Sequence, residues 1–427
     1  MQIKEYYSER INEKYYRIKH DSGLDIIVYP KSGYTSAFAI FGTKYGSINR
    51  TFSVNGEEAV TVPDGIAHYL EHKLFESEDG DAFSRFAETG ANANAFTSFD
   101  KTCYLFSCSD KLEENLDILL DFVQTPYFTE QTVQKEQGII GQEIKMYDDS
   151  PSWRVMFNML EAMYFNHPIK IDIAGTVESI SHITADLLYK CYNTFYNLGN
   201  MVLCVVGNVD TDTVLKCADK MLKPAKQCDI TNIFEPEPDG VVKAYVEQKF
   251  PVAVPLFHLG FKEKAEDYSL KKLAAFEVLL SMIGSSSGSL YKKLMDANLI
   301  NSTFSYEFSQ SDSYCLVVFS GESRNPKLAS EKIREYIREI KQNGLDKEDF
   351  EIAKRSVYGD IVSSFNSVDN IASSIIDFVF SDREYYAYVD AAAELVFEDV
   401  EDCLKEVLNE ESSVLSVILP MEESTED

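Results

Sequence analysis

The sequence predicts an α+β fold made of two related halves, each a mainly antiparallel sheet with helices packed on it. Apolar segments of strand length follow one another in hairpin fashion, whereas helical patterns come in long runs, and this combination is typical of that class. The order ββαα-ββ-helices-β occurs twice along the 427 residues, with little identity between the copies. We therefore predict a first domain at 1–225, an acidic, proline-containing linker at 226–240 and a second domain at 241–427.

The first half begins with a charged, tyrosine-rich segment, up to about residue 22, that fits a strand or an arm. The patterns that follow predict strands at 24–29, 36–41, 93–98, 103–108 and 201–206. Helices are predicted at 64–75, at 81–89 with Gly90 closing the helix, and throughout 111–191 with breaks at prolines.

The second half repeats this order of elements. Strands are predicted at 241–248, 256–261, 303–308, 314–320 and 413–419, and helices at 267–282, 290–297 and 327–409. The first of these helices takes the place of the helix at 64–75, but its segment 274–280 contains no histidine.

Residues 64–75 carry a metal-binding pattern. Asp64 is a suitable helix N-cap, and the apolar residues behind it recur at helical spacing. On that helix His68 and His72 lie at i and i+4, so both imidazoles project from one face and can chelate one ion. Glu71 lies beside them, where a general base for metal-activated water is needed. The order H-x-x-E-H is the inverted zinc-peptidase signature. The alternative is a surface or core helix whose two histidines bind nothing.

A catalytic zinc takes three protein ligands and keeps a fourth position open, so one ligand must come from elsewhere. The helical pattern at 129–146 places Glu136 and Glu143 two turns apart on one face. Its apolar side chains predict a packing face formed by Val133, Ile139, Ile140, Ile144 and Met146. Spacing alone leaves open which of the two glutamates is the third ligand.

Composition restricts the class of partner. The formal charge of −30 argues against nucleic acid and against anionic membrane surfaces, since both attract basic proteins. We find no apolar run of the length that spans a bilayer and no signal peptide at the N-terminus, and the eight cysteines are scattered. The expectation is therefore a cytoplasmic protein that binds neither nucleic acid nor membrane.

Four segments of the first half resemble one family. Residues 65–72 match the zinc helix of the pitrilysin or insulinase family of zinc peptidases, and 90–98 resemble its substrate-lining strand. Glu136 and Glu143 match its paired downstream glutamates, and 201–210 resemble the strand that closes its first domain. The chain is most similar to half-length bacterial members, which are related to mitochondrial processing peptidase. The resemblance implies two α+β halves that enclose a cleft.

The resemblance also implies roles for individual residues. His68, His72 and Glu143 would bind one Zn²⁺ per chain, and Glu71 would be the general base. Glu136 would orient a ligand or balance its charge.

The resemblance further implies how substrate binds. Asn94 and Ala95 would line the cleft on an exposed strand edge, to which a peptide substrate in extended form adds by backbone hydrogen bonds. The activity implied is that of a zinc metalloendopeptidase acting on peptides or short unfolded segments.

One departure from the family concerns substrate binding. Active members use an arginine and a tyrosine seven positions apart, but this sequence has Met295 and Ser302 at the matching positions. We therefore expect the catalytic subunit of a heterodimer, in which a related metal-free subunit supplies the Arg/Tyr pair. The alternatives are a non-catalytic, zinc-containing peptide-binding or scaffold subunit and a self-sufficient homodimeric peptidase.

Overall fold

A computed structural model describes residues 1–78, 80–224 and 228–421 of the chain. Its strands are, in chain order, β1 (Gln2–Ser8), β2 (Glu13–Lys19), β3 (Asp25–Pro30), β4 (Ala37–Thr43), β5 (Thr51–Val54), β6 (Val60–Thr61), β7 (Glu76–Ser77), β8 (Gly80–Asp81), β9 (Asn92–Thr97), β10 (Thr102–Cys108), β11 (Met201–Gly207), β12 (Ile230–Asn232), β13 (Tyr245–Phe250), β14 (Leu256–Glu263), β15 (Ser305–Gln310), β16 (Cys315–Glu322) and β17 (Ser413–Pro420). Its α-helices are α1 (Ile66–Leu74), α2 (Ala82–Thr89), α3 (Leu112–Val123), α4 (Glu130–Asp148), α5 (Pro151–Met163), α6 (Val177–Ile180), α7 (Ala185–Phe195), α8 (Thr211–Met221), α9 (Leu270–Gly284), α10 (Ser289–Asp296), α11 (Pro326–Asn343), α12 (Lys347–Ser364), α13 (Val368–Phe380), α14 (Tyr385–Glu394) and α15 (Phe397–Glu406).

The described residues fall into two compact units, neither of which is continuous in sequence. Unit 1 takes its residues from Met1–Ile144, Asp172–Ile233 and Val362–Tyr386, and unit 2 takes the remainder. The predicted domains and linker stay a prediction, and residues 225–227, at the predicted boundary, lie outside the described residues.

Unit 1 is built on a seven-stranded sheet in the order β1-β2-β3-β11-β4-β10-β9. β3 and β11 are parallel, and every other neighbouring pair in this sheet is antiparallel. The tyrosine-rich opening segment forms the β1–β2 hairpin at one edge of the sheet, which settles the choice between strand and arm. β9 is the other edge strand, and the metal-binding helix α1 packs against β9 and β10.

Unit 2 is built on a five-stranded sheet in the order β13-β17-β14-β16-β15. β13 and β17 are parallel and the other neighbours antiparallel. Strand for strand, this is the arrangement of β3-β11-β4-β10-β9 in unit 1. Helices α5 and α11 pack on the sheet. The prediction of an α+β fold with two related, mainly antiparallel halves is confirmed, whereas the cleft stays a prediction.

Helix α1 is fixed by burial and by a close backbone contact at its start. Tyr69, Leu70 and Leu74 are almost fully buried, and such side chains each stabilise a fold by about 1.5–3 kcal/mol. The predicted cap was wrong: Gly65 takes the N-cap position, and Asp64 forms an ion pair with Arg50 at 3.2 Å. The helix begins one residue later than predicted. Its N-cap has a left-handed backbone conformation and lies close to the Ala174 carbonyl, and glycine meets both requirements.

Helix α4 has the predicted length but a narrower packing face than expected. Val133, Ile140 and Ile144 are buried, whereas Ile139 and Met146 are exposed, contrary to prediction. Because residues at i, i+4 and i+7 share a helix face, these two side chains lie on the same side of α4 as Glu143.

The elements that were not predicted are short or lie beyond the last predicted strand of a half. They are the three-stranded sheet β12-β5-β6, the β7–β8 pair and helix α8. Strands of two to four residues carry too little alternation to be recognised from sequence.

One segment of the described chain, Leu270–Asp296, is long and apolar enough by composition to cross a membrane, although we expected no such stretch. Its most apolar window is 72% buried inside the structure, as in the core helix of a folded domain. A single segment of this kind is a weak indication of a membrane span.

Gly65 provides a test of how α1 is positioned. Its φ is +87°, and an added Cβ would lie 2.3 Å from the carbonyl oxygen of Ala174. We expect Gly65→Ala to lower the free energy of unfolding by about 2–4 kcal/mol, from left-handed strain plus overpacking. Urea denaturation measures this loss.

Gly56→Ala is the matched control, because Gly56 has a φ of +73° and open space around it. Its loss is expected to be smaller by about 1–3 kcal/mol, the overpacking contribution alone. Equal losses at both positions would contradict the close contact at Gly65.

Candidate metal centre

The two histidines of α1 lie side by side as the motif predicts. The ring centroids of His68 and His72 are 4.6 Å apart. His68 is 8% exposed, and the His72 side chain is about one-quarter exposed. Partial exposure of one imidazole leaves the pair accessible to an ion and to solvent.

Glu143 of α4 completes a group of three donors. Its Oε2 lies 3.3 Å from Nε2 of His72 and 3.7 Å from Nε2 of His68. Two ligands on a tetrahedral zinc with bonds of about 2.0–2.1 Å lie about 3.3–3.4 Å apart, so these separations fit one ion. Of the described residues, His68, His72 and Glu143 form the one cluster of His, Cys, Asp or Glu side chains with metal-ligand spacing. Two imidazoles and one carboxylate are a donor set that catalytic zinc uses.

Glu136 contacts the other nitrogen of His72. Its Oε1 accepts a hydrogen bond from Nδ1 of His72 at 3.1 Å, which leaves Nε2 facing Glu143. Burial lowers the pKa of His72, but hydrogen bonds to Glu136 and Glu143 outweigh it and raise the pKa to about 10. The same hydrogen bond lowers the pKa of Glu136 against the effect of its own burial. A metal ligand must be a neutral imidazole, so an ion that binds Nε2 of His72 would displace the proton from Nε2, and Nδ1 would keep its proton and its hydrogen bond to Glu136.

His68 has a different environment from His72. Burial, and secondarily the neighbouring His72, lowers the pKa of His68 to about 4, so its ring is neutral at pH 7. Its buried Nδ1 has no hydrogen-bond partner among the described side chains and backbone. A neutral imidazole needs no deprotonation before it binds an ion.

Glu71 lies on α1 but outside the donor group. It is 9% exposed, and its Oε2 accepts a hydrogen bond from Oγ1 of Thr97 at 2.6 Å. Burial raises the pKa of the Glu71 carboxyl, and the Thr97 hydrogen bond opposes that shift. A buried carboxyl with a raised pKa, next to a metal-ligand cluster, has the properties of a general base.

Asn94 and Ala95 lie on β9, the edge strand next to α1. The Asn94 side chain is exposed, and its Oδ1 accepts a hydrogen bond from the backbone N–H of Ala95 at 2.9 Å. β9 pairs with β10 along one side only, so its other side presents backbone groups. The location on an edge strand agrees with the prediction, and the peptide-binding role stays a prediction.

Two contacts of the site were not predicted from sequence. One is the hydrogen bond from Thr97 to Glu71, and the other is the hydrogen bond from the Tyr69 hydroxyl to the Val133 carbonyl, which joins α1 to α4. The sequence feature that could have identified Thr97 is its position two residues after Ala95, which places both side chains on the same face of β9. No pattern around Tyr69 distinguishes it from a core residue.

Two family models match the chain. The model described as "Insulinase (Peptidase family M16)" matches residues 60–177, a range that contains every predicted site residue. The model described as "Peptidase M16 inactive domain" matches residues 182–357, in agreement with the absence of a histidine motif from the second half.

Similar proteins extend the match over the full chain. A Bacillus subtilis (strain 168) protein named uncharacterized zinc protease YmfH is 40% identical over 420 residues, covering 96% of this chain and 98% of that protein. Mitochondrial-processing peptidase subunit beta of Caenorhabditis elegans is 31% identical over 179 residues, 40% of this chain and 39% of that subunit. A solved M16-like peptidase from Alicyclobacillus acidocaldarius is 30% identical, with a TM-score of 0.91 and 98% coverage of both chains.

Two substitutions on α4 separate the roles of its glutamates. Glu143→Gln removes an anionic donor and is expected to weaken zinc binding by more than about 100-fold, whereas Glu136→Gln, which disturbs only the orientation of His72, should weaken it by about 10- to 100-fold. Chelator competition measures both affinities.

Glu88→Gln on α2, an exposed position, is the matched control and should bind zinc as the wild type does. A larger loss for Glu136→Gln than for Glu143→Gln would make Glu136 the ligand.

Proposed function

The chain belongs to the insulinase family, peptidase family M16, and we propose that it is a zinc metalloendopeptidase hydrolysing peptides or short unfolded segments. The observation that carries this proposal is the group of three metal donors, together with Glu71, which lies on α1 with the two histidines of the group. His68, His72 and Glu143 would hold one Zn²⁺ per chain. Glu136, hydrogen-bonded to Nδ1 of His72, would keep that ring oriented with Nε2 towards the ion.

Bound zinc would polarise the scissile carbonyl and lower the pKa of an attacking water. The chain's own contribution is proton transfer by Glu71. Oε1 of Glu71 makes no hydrogen bond within the described residues, so it is available to take the proton of the attacking water. The carboxyl then returns that proton to the leaving amine. Its raised pKa brings it closer to the value at which both transfers proceed near neutral pH.

Edge strand β9 supports binding of the substrate in extended form. The unpaired side of β9 offers backbone groups to a peptide strand, and such pairing depends little on side chains. In the free chain the N–H of Ala95 is occupied by the Asn94 side chain, so a bound peptide would replace that contact. Asn94 would then be free to contact the peptide.

The number of donors favours catalysis over a structural zinc. Structural zinc sites are closed by four protein ligands, whereas catalytic sites have three and an open position. The described residues supply three donors at this centre. The alternative of a non-catalytic scaffold subunit would need a fourth.

Substrate binding is expected to need a second chain. Met295 and Ser302 occupy the positions where active relatives have Arg and Tyr, and neither side chain can carry a positive charge or donate from an aromatic hydroxyl. We propose a related metal-free subunit as the source of that pair. The protein is further expected to be cytoplasmic.

Glu71→Gln tests the peptidase. It removes the general base but retains the shape of the side chain, so kcat/KM for unstructured peptides should fall by about 10²–10⁴-fold. Zinc content should not change, because Glu71 lies outside the donor group. Cleavage of a mixed peptide library, followed by mass spectrometry, measures the loss, and Glu88→Gln is the matched control. Equal turnover by Glu71→Gln and the wild type would overturn the assignment of the base.

Turnover with and without a partner tests the heterodimer. We expect weak cleavage by the zinc-loaded chain alone and a large increase when a related subunit carrying the Arg/Tyr pair is added. Full activity of the chain alone would contradict the heterodimer and favour the self-sufficient homodimer, which light scattering would detect.

A further inference from the structure

We propose that Thr97 is a positioning residue that holds the Glu71 carboxylate in one orientation for proton transfer. This inference rests on the proposed function, since it assigns a task to a residue that contacts the proposed base. Thr97 is the last residue of β9, and Glu71 lies on α1, so the hydrogen bond joins the edge strand to the metal-binding helix. The Glu71 side chain makes no other hydrogen bond to the described residues.

The hydroxyl groups around Thr97 fix the direction of this hydrogen bond. Oγ1 of Thr102 donates to the carbonyl oxygen of Tyr45 at 2.8 Å, which uses its single proton. Thr102 therefore cannot donate to Oγ1 of Thr97, and the hydroxyl proton of Thr97 is available for donation to a neighbour. Its two neighbours are Oε2 of Glu71 at 2.6 Å and Oγ1 of Thr102 at 3.4 Å. The shorter, charge-assisted contact is the stronger one, so Thr97 donates to Glu71.

The position of Thr97 is itself rigidly supported. Thr97 pairs with Thr102 across the β9–β10 ladder, and Thr102 is completely buried. The turn after β9 is held by hydrogen bonds from Ser47 N–H to the Ser98 carbonyl and from Ile48 N–H to the Phe99 carbonyl, each 3.0 Å long.

The loop that supports this turn also packs closely against it. An added Cβ at Gly46 would lie 2.5 Å from the backbone of Phe99. Packing of this kind restrains Thr97 well enough for its hydroxyl to orient a partner.

The consequence for Glu71 is that its two oxygens are not equivalent. Oε2 is bound to Thr97, so Oε1 is the oxygen that takes the proton. Without the hydroxyl, the carboxylate rotates between orientations, and only some of them are productive. The loss should appear in kcat and hardly in KM, because Thr97 acts on the base.

The experiment compares Thr97→Val with Thr97→Ser in the zinc-loaded protein, together with its partner subunit if turnover requires one. Val has the shape of Thr without the hydroxyl, and Ser keeps the hydroxyl. We expect Thr97→Val to lower kcat about 10- to 100-fold with KM within about twofold, and Thr97→Ser to stay within about threefold of the wild type. Zinc content should equal that of the wild type in both variants.

Thr61→Val is the matched control, since Thr61 forms an exposed cross-strand hydroxyl pair with Thr51 at 3.0 Å and does not contact Glu71. Wild-type kcat in Thr97→Val would overturn the inference. Equal losses in Thr97→Val and Thr97→Ser would also overturn it, because they would indicate a packing role for the threonine methyl group.

Crystal structures of the two variants separate this inference from the proposed function. Absence of cleavage by the wild type, alone and with its partner, would overturn the peptidase but not the contact. In that case Glu71 should still lie within about 3 Å of the hydroxyl in Thr97→Ser and be displaced in Thr97→Val. An unchanged Glu71 carboxylate in Thr97→Val would overturn the positioning role.

Discussion

Three carboxylates, Glu71, Glu136 and Glu143, lie together with two imidazoles between helices α1 and α4, and this concentration of negative charge requires a compensating cation. Buried carboxylates are stable as anions only when positive charge or hydrogen bonds repay their desolvation. In the free chain a proton on His72, whose pKa is raised to about 10, supplies part of that charge, and Lys73 and Lys135 also stabilise the Glu136 carboxylate. A bound zinc ion would supply two positive charges at the same place, and the neutral ring of His68 is already suited to bind it.

The duplicated architecture shows where the described residues carry candidate metal ligands and where they do not. Five strands of unit 1, β3-β11-β4-β10-β9, and the five strands of unit 2 have the same succession of one parallel and three antiparallel pairs. In both units a helix follows the second of these strands in chain order, before the next two of them. In unit 1 that helix is α1, with two histidines; in unit 2 it is α9, of whose 15 residues 11 are buried and none is a histidine. Among the described residues, one copy of the fold therefore carries the candidate metal ligands, and the corresponding helix of the other copy has none.

Local patterns predicted the central features of this protein. The spacing of His68, Glu71 and His72 required only a helix, and the helix around Glu143 was evident from its periodicity. Local patterns did not predict which residues distant in sequence come into contact, and the meeting of Glu143 with the two histidines was expected from the family resemblance alone. The position of α1 depends on Gly65 meeting Ala174, and the orientation of Glu71 depends on Thr97. Segment Lys145–Ile171 belongs to unit 2 although it lies within the first half of the sequence. This, too, depends on tertiary packing that no local pattern encodes.

Anomalous diffraction at the zinc edge, from crystals of the zinc-loaded protein, tests directly whether His68, His72 and Glu143 bind one catalytic zinc ion. We expect one anomalous peak per chain within about 2.0–2.2 Å of Nε2 of His68, Nε2 of His72 and a carboxylate oxygen of Glu143, with no fourth protein ligand. A peak bound by Glu136 in place of Glu143, a site closed by four side chains, or no peak at these histidines would contradict it.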